Sequence, residues 1–121
     1  MGEGKMKTET IKGDWIMEKD EIVEGNLIVK GNITGENGRR FHLTVIGDLN
    51  CGDLTCGDLN CWDLNCWDLN CRDLTCWDLN CGDLNFYAVA IAYNSFKCKS
   101  WKARRDNYVI KSLDGEIEVT G

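Results

Sequence analysis

The stretch from Asp48 to Asn85 is eight consecutive five-residue words, Asp-Leu-Asn/Thr-Cys followed by Gly, Trp or Arg, without insertion or deletion. A strict short period of this kind restricts the chain to an array in which each word is one structural unit and neighbouring units cover each other's apolar side. The rest of the sequence is then read as whatever starts, ends or decorates the array.

Two inward registers are open. If Leu is the centre of the word with the residue two before it as the small inward partner, Gly52, Gly57, Trp62, Trp67, Arg72, Trp77 and Gly82 would point into a narrow interior, where neither an indole nor a guanidinium fits. If Leu-x-Cys is the inward pair, two residues apart on one pleat face, every bulky or charged side chain stays in solvent. The second register is preferred. It makes Cys51, Cys56, Cys61, Cys66, Cys71, Cys76 and Cys81 wall filler, since free cysteine behaves as a small apolar side chain.

Only two words carry Thr, Thr55 and Thr75, twenty residues apart. That spacing predicts four words per turn, with Trp62 over Gly82, Trp77 over Gly57 and Trp67 beside Tyr87. Stacked cysteines would then be Cys51/Cys71, Cys56/Cys76 and Cys61/Cys81. At ~4.8 Å per coil the perfect repeat makes only about two turns, so the flanks must continue it.

Apolar pairs two apart do continue on both sides. Upstream lie Trp15-x-Met17, Leu27-x-Val29, Ile33 and Leu43-x-Val45, with a loop at Glu36 to Arg40. Downstream lie Leu84-x-Phe86, Val89-x-Ile91, Phe96-x-Cys98 and Trp101-x-Ala103, then a hairpin or final strand over Tyr108-Val109-Ile110 and Ile117-x-Val119. Proline is absent, so Gly, Asp and Asn supply the turns. The expectation is an all-β chain with a flexible segment over 1–12 and one solenoid domain over 13–121. It has about five coils and irregular capping ends.

The words Asp-Leu-Asn-Cys resemble those of pentapeptide-repeat proteins, and the resemblance implies a right-handed quadrilateral parallel β-solenoid. Cysteine at a position where that family more often has Leu or Phe is a departure. The longer pattern, with Gly-Asn-Leu-x-Val-x-Gly-Asn-Ile before the words and Tyr-Ala-Val, Lys97-Cys98-Lys99-Ser100 and Arg104-Arg105 after them, is similar to small uncharacterised repeat proteins of bacterial and phage genomes. The better-known pentapeptide-repeat proteins that mimic DNA and inhibit gyrase are longer and more extended, so the resemblance extends to function only at the level of fold.

Composition narrows function mainly by exclusion. The net charge of -6 argues against direct nucleic-acid or anionic-membrane binding by the chain as a whole. No apolar run is long enough to span a membrane and no leader-like apolar stretch opens the chain, which reads as soluble and cytoplasmic. Seven cysteines spaced C-x4-C are distributed around the walls rather than converging as metal sites require, and no cofactor motif is present. A disulfide or a metal remains the alternative to core packing. No nucleophile, acid/base pair or phosphate loop is recognisable, so the chain reads as a non-enzyme.

What remains is the surface. The aspartates, among them Asp53, Asp58, Asp63, Asp68, Asp73 and Asp78, repel one another at ~5 Å by about 1 kcal/mol even in water, so each needs a role. One is to accept corner N–H groups as an Asx-type turn; the other is a regular negative surface that imitates a phosphate backbone. Trp62, Trp67, Trp77 and Tyr87 stand outward beside them, either packed on neighbouring coils or exposed as interface anchors. Arg72 is the one cation in the repeat, and the basic run Lys97, Lys99, Lys102, Arg104 and Arg105 forms a solvated face or a contact for another copy's acidic middle. The expected partner is a protein with a basic surface, such as a nucleic-acid-binding enzyme, with homo-oligomerisation as the alternative.

Overall fold

The computed structural model describes residues 7–121. Inside the repeat, Leu and Cys alternate with outward Asn or Thr, and this period of two winds the chain as short parallel strands separated by two-residue corners. Leu64 pairs with Leu49, Leu69 with Leu54 and Leu74 with Leu59, so one turn takes fifteen residues and three words. The coil is therefore three-sided. The four-sided coil expected from Thr55 and Thr75 is overturned, because the hydrogen-bond register, not the position of a threonine, sets the stacking.

Face 1 stacks Thr8–Ile11, Asn26–Val29, Leu49–Asn50, Leu64–Asn65, the end of Leu74–Asn80, the end of Val89–Cys98 and Ile117–Val119. Face 2 stacks Trp15–Met17, Ile33–Gly35, Leu54–Thr55, Leu69–Asn70, Asp83–Phe86 and Ser100–Ala103. Face 3 stacks Glu21–Glu24, Leu43–Ile46, Leu59–Asn60, the start of Leu74–Asn80, the start of Val89–Cys98 and Val109–Ser112. The result is about seven turns rather than five, since each turn uses fewer residues than a four-sided one. Two strands, Leu74–Asn80 and Val89–Cys98, run around a corner and join faces 3 and 1 into one hydrogen-bonded sheet.

The interior follows the Leu-x-Cys register. Every Leu from Leu49 to Leu84 and all eight cysteines are buried. Cysteines stack fifteen apart, Cys51 under Cys66 under Cys81, Cys56 under Cys71 and Cys61 under Cys76, not at the twenty expected. All are free thiols. Burial drives the Cys71 and Cys76 thiols up to about 12 and raises Cys56, Cys61 and Cys81 as well. For Cys66 the leading cause of a raised value is its contact with the Cys51 sulfur, followed by burial. These sulfurs are protonated and unreactive at neutral pH.

The flanks keep the plan and bend its details. The solenoid starts at Thr8, inside the segment expected to be flexible, because Thr8–Ile11 pairs with Asn26–Val29; residues 1–6 of that segment lie outside the described residues. The expected loop is a short 3-10 turn at Glu36–Gly38. After Phe86 one extra corner residue moves the inward pair from Val89 and Ile91 to Ala90 and Ala92. Val109–Ser112 and Ile117–Val119 are not a hairpin: each pairs in parallel with Val89–Cys98, on adjacent faces.

Candidate functional site: three edges

Three corners per turn stack into three edges that run the length of the rod. On each, the polar residue just before the first inward-register residue of a strand accepts a hydrogen bond from the equivalent residue one coil above. On the first edge Asn26 Oδ1 accepts from Asp48 N (2.9 Å) and Asp48 Oδ1 from Asp63 N (3.2 Å). Asp63 in turn accepts from Asp78 N, and Asp78 Oδ1 from Ser95 Oγ (2.9 Å). On the second, Asp14, Asn32, Asp53, Asp68 and Asp83 form the same relay, ending on Ser100 Oγ. On the third, Asp20 accepts from His42 N, His42 Nδ1 from Asp58 N (2.8 Å), Asp58 from Asp73 N and Asp73 from Val89 N.

The aspartates thus do accept corner N–H groups, but those of the next coil rather than of their own turn. An acidic stack is tolerated because the carboxylates satisfy backbone donors that the parallel ladder leaves over and, at Asp78 and Asp83, the hydroxyls of Ser95 and Ser100. Asn26, Asn32 and His42, the last expected only as a strand-edge surface residue, belong to the relay. The signal was available: each directly precedes an inward residue, Leu27, Ile33 or Leu43, as Asp does in every word.

Side chains at the preceding corner position differ sharply between edges. On the first edge Trp62 and Trp77 lie fifteen residues apart and stack face to face, with centroids 5.5 Å apart and planes at 12°. Ile46 and Tyr93, both exposed, carry this apolar strip along the edge. On the second edge Trp67 stands between Gly52 and Gly82 with no aromatic neighbour and is 71% exposed, against 38% for Trp62 and 47% for Trp77. On the third edge the Arg72 guanidinium lies 5.3 Å over the Tyr87 ring. The expected neighbours, Trp62 over Gly82, Trp77 over Gly57 and Trp67 beside Tyr87, do not occur, since all three presuppose a turn of twenty.

The residues singled out in the sequence are therefore divided. Asp63 and Asp78 share the first edge with Trp62 and Trp77; Asp53 and Asp68 share the second with Trp67; Asp58 and Asp73 share the third with Arg72 and Tyr87. Beside the first edge, a recess of about 400 Å³ on face 1 is lined by Asp63, Asp78, Asn65, Asn80, Lys97 and Glu118. Partial desolvation, then the neighbouring Asp78 and Asp48 charges, raise the Asp63 carboxyl above its usual value. Among the described residues no group of three or more His, Cys, Asp or Glu has metal-binding geometry, and no helix is long and apolar enough to cross a membrane.

Comparison with protein-family models, with curated proteins and with solved structures returns no match. What the fold defines is a three-sided parallel β-solenoid built on repeats.

Proposed function

We propose that the protein acts by binding, through its first edge, to a basic surface on a protein partner, and that the most concrete partner is a DNA- or RNA-processing enzyme whose nucleic-acid cleft the acidic column occupies. The observation that carries this reading is the coexistence on one edge of the exposed Trp62–Trp77 stack and the Asp48, Asp63, Asp78 column. Carboxylates repeat once per rung of ~4.8 Å, a regular line of negative charge sparser than the ~3.4 Å of axis per phosphate on one DNA strand, while the indoles supply the apolar anchor that phosphate mimicry alone lacks. The likeness of the words to pentapeptide-repeat proteins, some of which mimic DNA, points the same way, although the three-sided turn differs from their quadrilateral coil.

Adding the purified protein to DNA-supercoiling and nuclease assays tests the reading. Inhibition should weaken with added salt and fall at least tenfold in the Trp62→Ala/Trp77→Ala variant, whose Asp column is intact. Absence of inhibition, or inhibition indifferent to salt and to both substitutions, sinks it.

A second reading, self-association end to end, is favoured by the strand edges at the two ends. Among the described residues Thr8–Ile11 and Glu21–Glu24 pair on one side only and carry Glu9, Glu21 and Glu24 around Ile11 and Val23. At the other end Ser100–Ala103 and Val109–Ser112 also pair on one side only and carry Lys102 and Lys111. Light scattering that shows only monomer across a hundredfold range of concentration excludes it.

A further inference from the structure

The chain has five arginines, Arg39, Arg40, Arg72, Arg104 and Arg105, far apart in sequence. The coil brings all three segments that carry them to the third edge. Backbone hydrogen bonds climb it rung by rung: Gly57 N to Phe41 O, Arg72 N to Gly57 O, Tyr87 N to Arg72 O and Arg105 N to Tyr87 O. Gly57 keeps the rung between Arg40 and Arg72 clear, since a Cβ there would lie 2.7 Å from His42 Nδ1 and 2.9 Å from the Arg40 carbonyl oxygen.

The side chains converge further than the backbone requires. Arg40 Nη1 and Arg104 Nη1 both donate to Asn70 Oδ1 at 3.0 Å, so the two charged nitrogens are at most about 6 Å apart by the triangle rule and the hydrogen-bond length. Arg104 also donates from Nη1 to Asn85 Oδ1 (2.6 Å) and from Nη2 to the Cys71 carbonyl (2.8 Å). Every one of these acceptors is neutral. Among the described residues none of the five arginines forms an ion pair with a carboxylate; the nearby Asp58 and Asp73 are engaged by the Asp73 and Val89 N–H groups. Burial, then the approach of Arg40 and Arg72, lowers the Arg104 pKa. Two guanidiniums held together on neutral acceptors repel unless an anion joins them.

We propose that Arg40 and Arg104, with Arg72 one rung from Asn85, form a binding site for a phosphate group on the third edge, independent of the binding assigned to the first. The paired forks match a tetrahedral oxyanion, for which arginine is better shaped than lysine. Asn70 and Asn85 hold the forks in place as a phosphate arrives. The negative net charge is no obstacle, because it sums over the whole chain, whereas on the third edge the five arginines outnumber Asp20, Asp58 and Asp73. The phosphate is either free or part of a nucleic-acid strand.

Calorimetry and thermal melts with sodium phosphate, with sodium chloride at matched ionic strength, with a ten-nucleotide oligothymidylate and with polyglutamate decide the matter. Phosphate should raise the melting temperature where chloride does not, and Arg40→Gln/Arg104→Gln should weaken its binding at least tenfold. Arg104→Lys keeps the charge without the fork and should weaken binding several-fold, which covers the case in which the double variant is poorly folded. Phosphate binding without oligonucleotide binding assigns a free phosphate. Binding of both, with a salt slope that falls by about 1.4 in the double variant at ~0.7 per phosphate contact, assigns a strand. Binding of neither, binding unchanged in both variants, or polyglutamate binding as tightly as phosphate overturns the proposal.

Discussion

The perfect repeat and its flanks solve the same packing problem with different means. Between Asp48 and Asn85 each of the first seven words places one Leu and one Cys inward, each corner has two residues, and every turn takes fifteen. In the flanks the same face advances by 18 and 22 residues before the repeat and by 17 and 21 after it, with the surplus placed at corners such as Glu36–Gly38 and Tyr93–Asn94. Their interior is mixed. The turn above the repeat presents Phe86 on face 2 and Phe96 on face 1, and Ala90 and Ala92 on face 3. Large residues on two walls occupy what small ones on the third leave empty, so total volume is conserved although no word is. Uniform packing makes a segment easy to extend; compensated packing makes a segment that fits one place only.

The largest expected contrast is chemical. Six of the raised thiols belong to the repeat, Cys56, Cys61, Cys71, Cys76 and Cys81 held high chiefly by burial and Cys66 chiefly by its contact with the Cys51 sulfur, and one, Cys98, belongs to the flank. A thiol whose folded pKa is raised stabilises the fold below its unfolded value, near 9, and that contribution is lost as pH rises above it, because the unfolded chain releases the proton first. Each loses up to about 1.4 kcal/mol per pH unit, so the whole fold should melt within roughly two units above pH 9, where marginal stability is ~5–15 kcal/mol. Circular dichroism together with thiol titration checks this; a chain still folded and thiol-protected at pH 12 contradicts it.

Next in size is the compensated turn. Phe86→Ala should cost about 3–5 kcal/mol, whereas Cys71→Ala directly below it, which removes a single sulfur, should cost roughly 1. Urea midpoints that fall by equal amounts would erase the distinction drawn between the two regions. Smallest is the surface. Ionisation of Asp63 opposes folding from the ordinary carboxylate pKa of 3.8 upward, since its folded value is raised. Asp63→Asn, which keeps the acceptor oxygen, should therefore raise stability at pH 7 by a few tenths of a kcal/mol, limited by solvent screening. A drop in thermal midpoint would mean that the carboxylate's charge strengthens the relay more than its neighbours weaken it.

The contrast also explains which features were readable in the sequence. Leu-x-Cys inward, parallel strands and aspartate as a corner acceptor follow from sterics inside one word, and a word is local. The number of words per turn is not. It depends on how strands stack, and Thr55 and Thr75 suggested twenty while Trp62 and Trp77, or Gly57 and Arg72, fitted fifteen equally well. Every contact between edges inherited that choice, which is why Trp62 was placed over Gly82 instead of under Trp77. The shift from Val89 to Ala90 turned on one corner residue, and apolar residues at both positions gave no warning. Arg40 and Arg104 meet only because flank turns of irregular length return them to one edge, and no spacing in the words encodes that.

The relay of carboxylates through successive corners has a consequence for how such a chain can change length. Because each donor reaches only the coil below, the rod has a reading frame of fifteen. Excision of fifteen residues, Gly52 to Cys66 for instance, shortens it by one storey and leaves every later side chain on its original edge. Excision of five conserves composition almost as well, yet turns everything above the cut by one corner and parts Arg104 from Arg40.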